Sequence, residues 1–148
     1  RDICAAVVEE LESQYPGRIR FSAEGDLQSG WDADRIQQIL SNLVVNALDY
    51  GSQEQPVDIR LERENGSALI VVSNEGPEIP ESLRPVIFDP FRRGTGDEQR
   101  ARRGLGLGLF ITREIVRAHQ GSIELQSGGG RTTFVLRLPM AAVRQAAV

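Results

Sequence analysis

Val57-Asp58-Ile59-Arg60-Leu61-Glu62 and Ala68-Leu69-Ile70-Val71-Val72-Ser73, separated by a polar stretch that contains Glu64-Asn65-Gly66, read as the two strands of one hairpin. Asn-Gly supplies the positive-φ residues that a tight turn between right-twisted strands requires. The first strand alternates apolar with charged residues, as a half-buried strand does, and the second is a short continuous apolar run bounded by turn residues. Residues 122–126 and 132–138, joined by Gly128-Gly129-Gly130, form a second hairpin of the same kind. Outward from these lie helical patterns. Residues 2–14 carry Ile3, Val7, Val8 and Leu11 at helical spacing and stop at Pro16-Gly17. Asp32 is placed to cap a longer helix with Asp34 in its first turn; Ile36, Ile39, Leu40, Leu43, Val44, Ala47 and Leu48 form its buried arc, and Gly51 ends it. Residues 18–23 alternate as a strand, a short strand is expected at 27–31, and a helical segment is expected to start at Glu81. Hairpins impose antiparallel pairing, so the predicted class is α+β: a two-layer α/β sandwich, with a mixed, mostly antiparallel sheet covered on one face by about three helices.

Composition bounds the function. The 148 residues suffice for one core-bearing domain, expected over residues 1–140 with a frayed tail at 141–148. All 17 basic residues are arginine, which excludes a lysine-based phosphate loop and makes any cationic ligand contact a guanidinium fork. A net charge of −4 argues against a general nucleic-acid surface. The single cysteine, Cys4, forms no internal disulfide, and the apolar runs are too short to span a membrane. These features predict a soluble, monomeric cytoplasmic piece of a longer protein, without membrane contact.

Gly104-Leu105-Gly106-Leu107-Gly108-Leu109 follows an arginine-rich stretch and precedes an amphipathic run ending near His119. Glycines at alternate positions let successive amides converge on an anion, and the helix that follows adds its N-terminal donors and dipole. A glycine-leucine strand or linker is the competing reading, although a packed strand gains little from three glycines. Asn42 and Asn46 lie four residues apart on one helix face. They form either an ordinary solvated stripe or a pair of carboxamides serving a hard cation such as Mg2+. Tyr50 stands one turn beyond. Asn74, where a buried strand meets the turn Glu75-Gly76-Pro77-Glu78-Ile79-Pro80, offers a donor and an acceptor suited to an adenine edge, or is simply a turn residue.

The order of these boxes resembles the catalytic and ATP-binding domain of sensor histidine kinases, in the GHKL superfamily. The likeness is carried by residues 34–47, by Asn74 to Pro80 with Ile87-Phe88-Asp89-Pro90-Phe91-Arg92-Arg93, by Gly104 to Leu109, and more weakly by Gly129-Gly130-Arg131-Thr132-Thr133-Phe134. The resemblance implies ATP and Mg2+ as ligands and Asn46 as the magnesium ligand. It implies that Asn42 approaches the phosphates, that Tyr50 and Asn74 hold the adenosine end, and that Arg93 grips phosphate from a mobile lid at residues 92–103. Gly76, Ile79, Gly104, Leu105, Gly106, Leu107, Gly108 and Thr132 complete the implied nucleotide contacts, with Asn42, Asn46 and Arg93 as the catalytic set. The implied partners are a histidine-bearing dimerisation domain of the same protein and a response-regulator receiver domain. Hydrolytic GHKL enzymes carry a glutamate where this chain has Asn42; a carboxamide is a poor general base, which favours phosphoryl transfer to histidine over hydrolysis. His119 reads as a helix-end residue rather than the acceptor. Asn74 stands where the family has aspartate, Asp49 where a basic residue is usual, and Glu78 and Arg131 where glycines are expected. These departures predict modest ATP affinity and motivate the rival reading, a degenerate nucleotide-binding or docking module without phosphotransfer.

Overall fold

The computed structural model of the chain describes residues 3–24, 33–51, 54–90 and 108–139. The elements run α1 (Ile3–Gln14), β1 (Ile19–Ala23), α2 (Ala33–Tyr50), β2 (Val57–Glu64), β3 (Ser67–Glu75), α3 (Gly108–Ala118), β4 (Ser122–Gly128) and β5 (Arg131–Pro139). The strands form one sheet in the order β1-β2-β3-β5-β4. β2–β3, β3–β5 and β4–β5 pair antiparallel, whereas β1 pairs parallel to β2 with Phe21 opposite Ile59. The chain leaves β1, passes through α2 and returns as β2; such a crossover is what parallel neighbours require. The expected mixed α/β sandwich is therefore the observed architecture.

The first hairpin is tighter than the sequence pattern implied. Its strands continue to Glu64 and from Ser67, which face one another, so Asn65 (φ 53°) and Gly66 (φ 80°) alone make the turn. Positive φ at both central residues matches the twist of the strands, and ladder bonds continue to the turn whatever the polarity of the side chains. The second hairpin closes in the same way through Gly129 and Gly130 (φ 64° and 75°).

α1, α2 and α3 cover one face of the sheet, with α2 packed between the other two. Every apolar residue assigned to the arc of α2 is buried: Ile36, Ile39, Leu40, Leu43 and Val44 completely, Ala47 and Leu48 nearly so. They meet Val57, Ile59, Leu61, Ile70, Val72, Phe134, Leu136 and Leu138 from alternate positions of the strands, together with Val7, Val8 and Leu11 of α1. Cys4 is buried in the same core. At about 1.5–3 kcal/mol for each large side chain removed from water, this layer dominates the folding energy.

One expected element differs. The segment from Glu81 is a series of turns with a single 3-10 turn at Arg84–Val86 rather than an α-helix. Pro85 in that turn lacks an amide donor, and Pro90 bounds the segment, so no longer ladder of i to i−4 bonds is available. The expected strand at 27–31, the Asp32 cap, the lid at 92–103 and the tail at 141–148 lie outside the described residues. Among the described residues no helix is long and apolar enough to cross a membrane.

Candidate functional site

α2 organises the site because its apolar arc is anchored in the core and its asparagines fall at the edge of that arc. Asn42 and Asn46 are both half-buried. Asn42 reaches across to the start of α3, where its Nδ2 donates to the Gly108 carbonyl (3.3 Å) and to Thr112 Oγ1 (3.3 Å). Among the described residues the side chain of Asn46, one turn further along α2, makes no hydrogen bond. Its carboxamide is thus available beside the junction of α2 with α3.

The far end of α2 meets the end of β3. A Cβ on Gly51 would sit 2.7 Å from the Ala47 carbonyl oxygen and 2.9 Å from Asn74 Nδ2. A side chain at Gly51 therefore has no room, because the Ala47 carbonyl and Asn74 occupy the space that it would take. Asn74 is 6% exposed and stands directly across from Thr132 of β5, which is 5% exposed. Among the described residues its side chain makes a single, long hydrogen bond, from Nδ2 to the Glu75 carbonyl at 3.5 Å. A buried carboxamide at the mouth of a strand with so little hydrogen bonding is suited to a ligand edge.

The turn after Asn74 is held from several sides. Gly76 takes φ 152°, a region open to glycine, and its amide donates to the Gly130 carbonyl at 2.9 Å. The Ile79 amide donates to Ser127 Oγ (3.1 Å), and Arg84 Nε donates to the Ile79 carbonyl (3.0 Å). Glu78 Oε2 accepts the Gly130 amide at 3.1 Å. Arg131 bridges Glu75 (3.3 Å) and Asp58 (2.7 Å), and Asp58 also receives Arg20 at 2.6 Å. The hydrogen bond from Arg20, joined by that from Arg131, holds the Asp58 carboxyl below its ordinary range against the opposing effect of burial; the same contact raises Arg20. Neither Glu78 nor Arg131 has positive φ. The two residues that stand where glycines were expected are thus unstrained, and they fasten the Asn74 turn to the β4–β5 turn.

The segment leading to residue 90 is anchored as well. Phe88 packs edge-on against Phe134, with centroids 6.0 Å apart, and the Arg113 guanidinium lies 5.6 Å from the Phe88 ring centre. His119 Nδ1 is hydrogen-bonded with the Ile115 carbonyl at 2.9 Å, which ties it to the end of α3 as the sequence suggested.

The structure thus brings Asn42 to Gly108 along the flank of α2, and Gly51 at the helix end to Asn74, which Thr132 faces across the sheet. The Tyr50 side chain, Arg93, Gly104, Leu105, Gly106 and Leu107 lie outside the described residues. Sequence reasoning missed Thr112, the fully buried hydroxyl on α3, and Ser127, which holds the Ile79 amide. Thr112 was detectable as a β-branched hydroxyl four residues after Gly108 on the same helix face as Ile115 and Val116. Ser127 carried no local signal. Among the described residues no three His, Cys, Asp or Glu side chains could hold a metal by themselves. A divalent ion here would need a carboxamide oxygen and ligands brought by the nucleotide, a donor set that suits Mg2+. An open depression of ≈ 540 Å³ lies on the opposite face of the sheet, lined by Arg20, Asp58, Arg60, Ser73 and Arg131 among others. Its Arg20, Asp58 and Arg131, with Glu75, balance one another as ion pairs, and Asn42 and Asn46 do not line it, so we assign the site to the α2 side.

Comparison with known proteins follows the same lines. Residues 31–142 match the family model described as histidine kinase-, DNA gyrase B-, and HSP90-like ATPase. The chain is 38% identical over 141 residues to the bacteriophytochrome of Pseudomonas aeruginosa, covering 95% of this chain and 19% of that protein. It is 38% identical over 144 residues to the adaptive-response sensory kinase SasA of Synechococcus, covering 93% of this chain and 38% of that protein. Among solved structures, the nucleotide-free catalytic domain of histidine kinase ThkA superposes with a TM-score of 0.75 at 31% identity, covering 93% of this chain and 90% of that one. ThkA in complex with the response regulator protein TrrA gives 0.75 at 28% identity, over 95% of this chain and 40% of that chain.

Proposed function

The chain belongs to the histidine kinase-, DNA gyrase B- and HSP90-like ATPase family, and from that premise we propose that it is the ATP-binding catalytic unit of a two-component sensor histidine kinase, passing the terminal phosphoryl group of ATP to a histidine on a separate dimerisation domain. It spans 19% of the bacteriophytochrome and 38% of SasA, so the acceptor histidine, the sensory region and the receiver domain that takes the phosphoryl group onward are assigned to other parts of the system.

The observation that carries the reading is the meeting of the asparagine helix with both other described boxes: Asn42 bonded to Gly108 and Thr112, and Gly51 packed on Asn74. Asn74 and Thr132 would receive the adenine edge, the buried carboxamide oxygen accepting from its amino group. Asn46 would hold Mg2+, which neutralises phosphate charge and orients the triphosphate when bound. In the transfer, the bond between the terminal phosphorus and the bridging oxygen of ADP breaks, a bond from phosphorus to an imidazole nitrogen forms, and the imidazole proton leaves to solvent. The chain contributes alignment and electrostatics, because a neutral imidazole nitrogen needs no strong base. Asn42, without basicity, fits this task better than hydrolysis. The rival docking-module reading rested on Glu78, Arg131 and Asp49; the first two now have partners that stabilise the site turn. We place Arg93, Tyr50 and the glycines at 104–108 in the phosphate and adenosine contacts on the family resemblance, and the domain in the cytoplasm.

The test is calorimetric titration of the chain with ADP and ATP, with and without Mg2+, alongside radiolabel transfer to a histidine-bearing helical domain supplied in trans. The expected result is Mg2+-dependent binding, label on the added histidine and none on His119. No binding at millimolar nucleotide, on the order of −4 kcal/mol, overturns the reading.

A further inference from the structure

Thr112 is the one fully buried polar side chain on α3, and the function proposed above gives it no task. A buried hydroxyl is costly unless it is bonded, and this one is bonded on two sides. Its Oγ1 donates to the Gly108 carbonyl at 2.9 Å and so turns a lone pair toward α2, where Asn42 Nδ2 donates to it at 3.3 Å. Asn42 Nδ2 also donates to the Gly108 carbonyl at 3.3 Å. A main-chain carbonyl can only accept, so the nitrogen edge of the Asn42 amide must face α3 and its oxygen must face away. Thr112, Gly108 and Asn42 form a closed triangle of three hydrogen bonds. Among the described residues Asn42 Oδ1 has no partner.

We propose that Thr112 is a positioning residue: it locks the Asn42 carboxamide with the nitrogen spent on α3, so that Asn42 offers the reacting end of the nucleotide an oxygen acceptor and no amide donor. This rests on the phosphotransfer reading. It also corrects how Asn42 acts, since an acceptor oxygen repels phosphate oxygens and is complementary to a donor such as the N–H of the incoming imidazole. A side chain held by outer partners loses about 10–100-fold of its effect when those partners are removed.

The experiment uses Thr112→Val, close in shape but without the hydroxyl, with Thr112→Ser, Asn42→Ala and the Thr112→Val/Asn42→Ala double variant. ADP affinity and transfer to the histidine domain are measured for each. Thr112→Val is expected to leave ADP affinity within about twofold and to slow transfer about tenfold at saturating ATP, a loss in kcat rather than KM. Thr112→Ser restores transfer, and in the Asn42→Ala background Thr112→Val has no further effect. In the nitrogen-15 spectrum of the chain, the Asn42 side-chain amide is expected at a distinct position in the parent and the Ser variant, and at that of a free amide in the Val variant, a readout that needs no turnover. Transfer unchanged in Thr112→Val, an undiminished loss in the Asn42→Ala background, or no restoration by serine overturns the proposal while normal transfer by the parent chain leaves the kinase reading intact. Failure of the parent chain to bind nucleotide strikes that reading instead. Should the Val variant fold poorly, the Ser variant and the parent amide spectrum still decide, since a free-amide position in the parent refutes the lock.

Discussion

The two faces of the sheet spend polar groups in opposite ways. On the outer face, Arg20, Asp58, Arg131 and Glu75 form a chain of ion pairs of alternating sign, with each charge answered by the next. On the helix side the polar groups are few, neutral and incompletely answered: Asn46 without a partner among the described residues, Asn74 with one long bond, and Asn42 with its oxygen open. The difference teaches where to look for function in such a fold. Charge density marks fastening, whereas half-satisfied neutral groups set in an apolar frame mark a place kept for a ligand.

The comparison can be broken most heavily at its frame. Leu43→Ala removes a completely buried side chain of α2 directly beside Asn42, and is expected to cost about 2–5 kcal/mol of stability by denaturant unfolding. The next largest effect separates binding from stability. Asn46→Ala is expected to weaken Mg2+-dependent ADP binding about 10–100-fold by calorimetry, while the unfolding free energy stays within about 0.5 kcal/mol of the parent. An equal loss in the absence of Mg2+ would place Asn46 elsewhere than on the metal.

Gly51→Ala tests the contact between the helix end and the adenine side. The new Cβ would press on Asn74 Nδ2 and the Ala47 carbonyl, so about 1–3 kcal/mol of stability is expected to go, and ADP affinity with it. Affinity retained at full strength would detach Asn74 from the nucleotide. The smallest effect belongs to the outer face. Asp58→Asn is expected to cost about 1 kcal/mol at neutral pH, because Asp58 is itself only 26% exposed while its partners Arg20 and Arg131 are screened by solvent. The sign with pH follows from the lowered Asp58 value. Its contribution is complete above the unfolded carboxylate pKa of about 3.9 and is lost as pH falls through the lower folded value. Parent and variant should therefore differ by a constant amount between about pH 5 and 8 and converge in acid, as read by thermal unfolding. Arg20, already charged throughout that window and raised further, adds no slope to it.

Much of this was legible in the chain. The buried arc of α2 was read residue for residue, since helical period and apolarity are local properties, and the two glycine-bearing turns announced the hairpins through the backbone conformations they require. The order of asparagine, glycine and phenylalanine boxes was enough to place the family. Less legible were the features set by packing between distant segments. The short helical segment expected from Glu81 is present only as a 3-10 turn at Arg84–Val86. Glu78 and Arg131 looked like defects because their partners, Gly130, Glu75 and Asp58, come from other strands. Gly51 was legible as the end of the helix, since α2 stops at Tyr50; that a Cβ there would also meet the Asn74 side chain arriving from β3 was not.

By itself, then, the sequence determined the elements, the side each element buries and the family, because these follow from periodicity, turn chemistry and the order of motifs along one chain. Only the tertiary structure decided which way the Asn42 amide points, why Thr112 is a hydroxyl and why two unexpected charges stabilise the site turn. Those are matters of hydrogen-bond direction between residues some 50 to 70 positions apart in the chain, and direction exists only once the partners have been brought together.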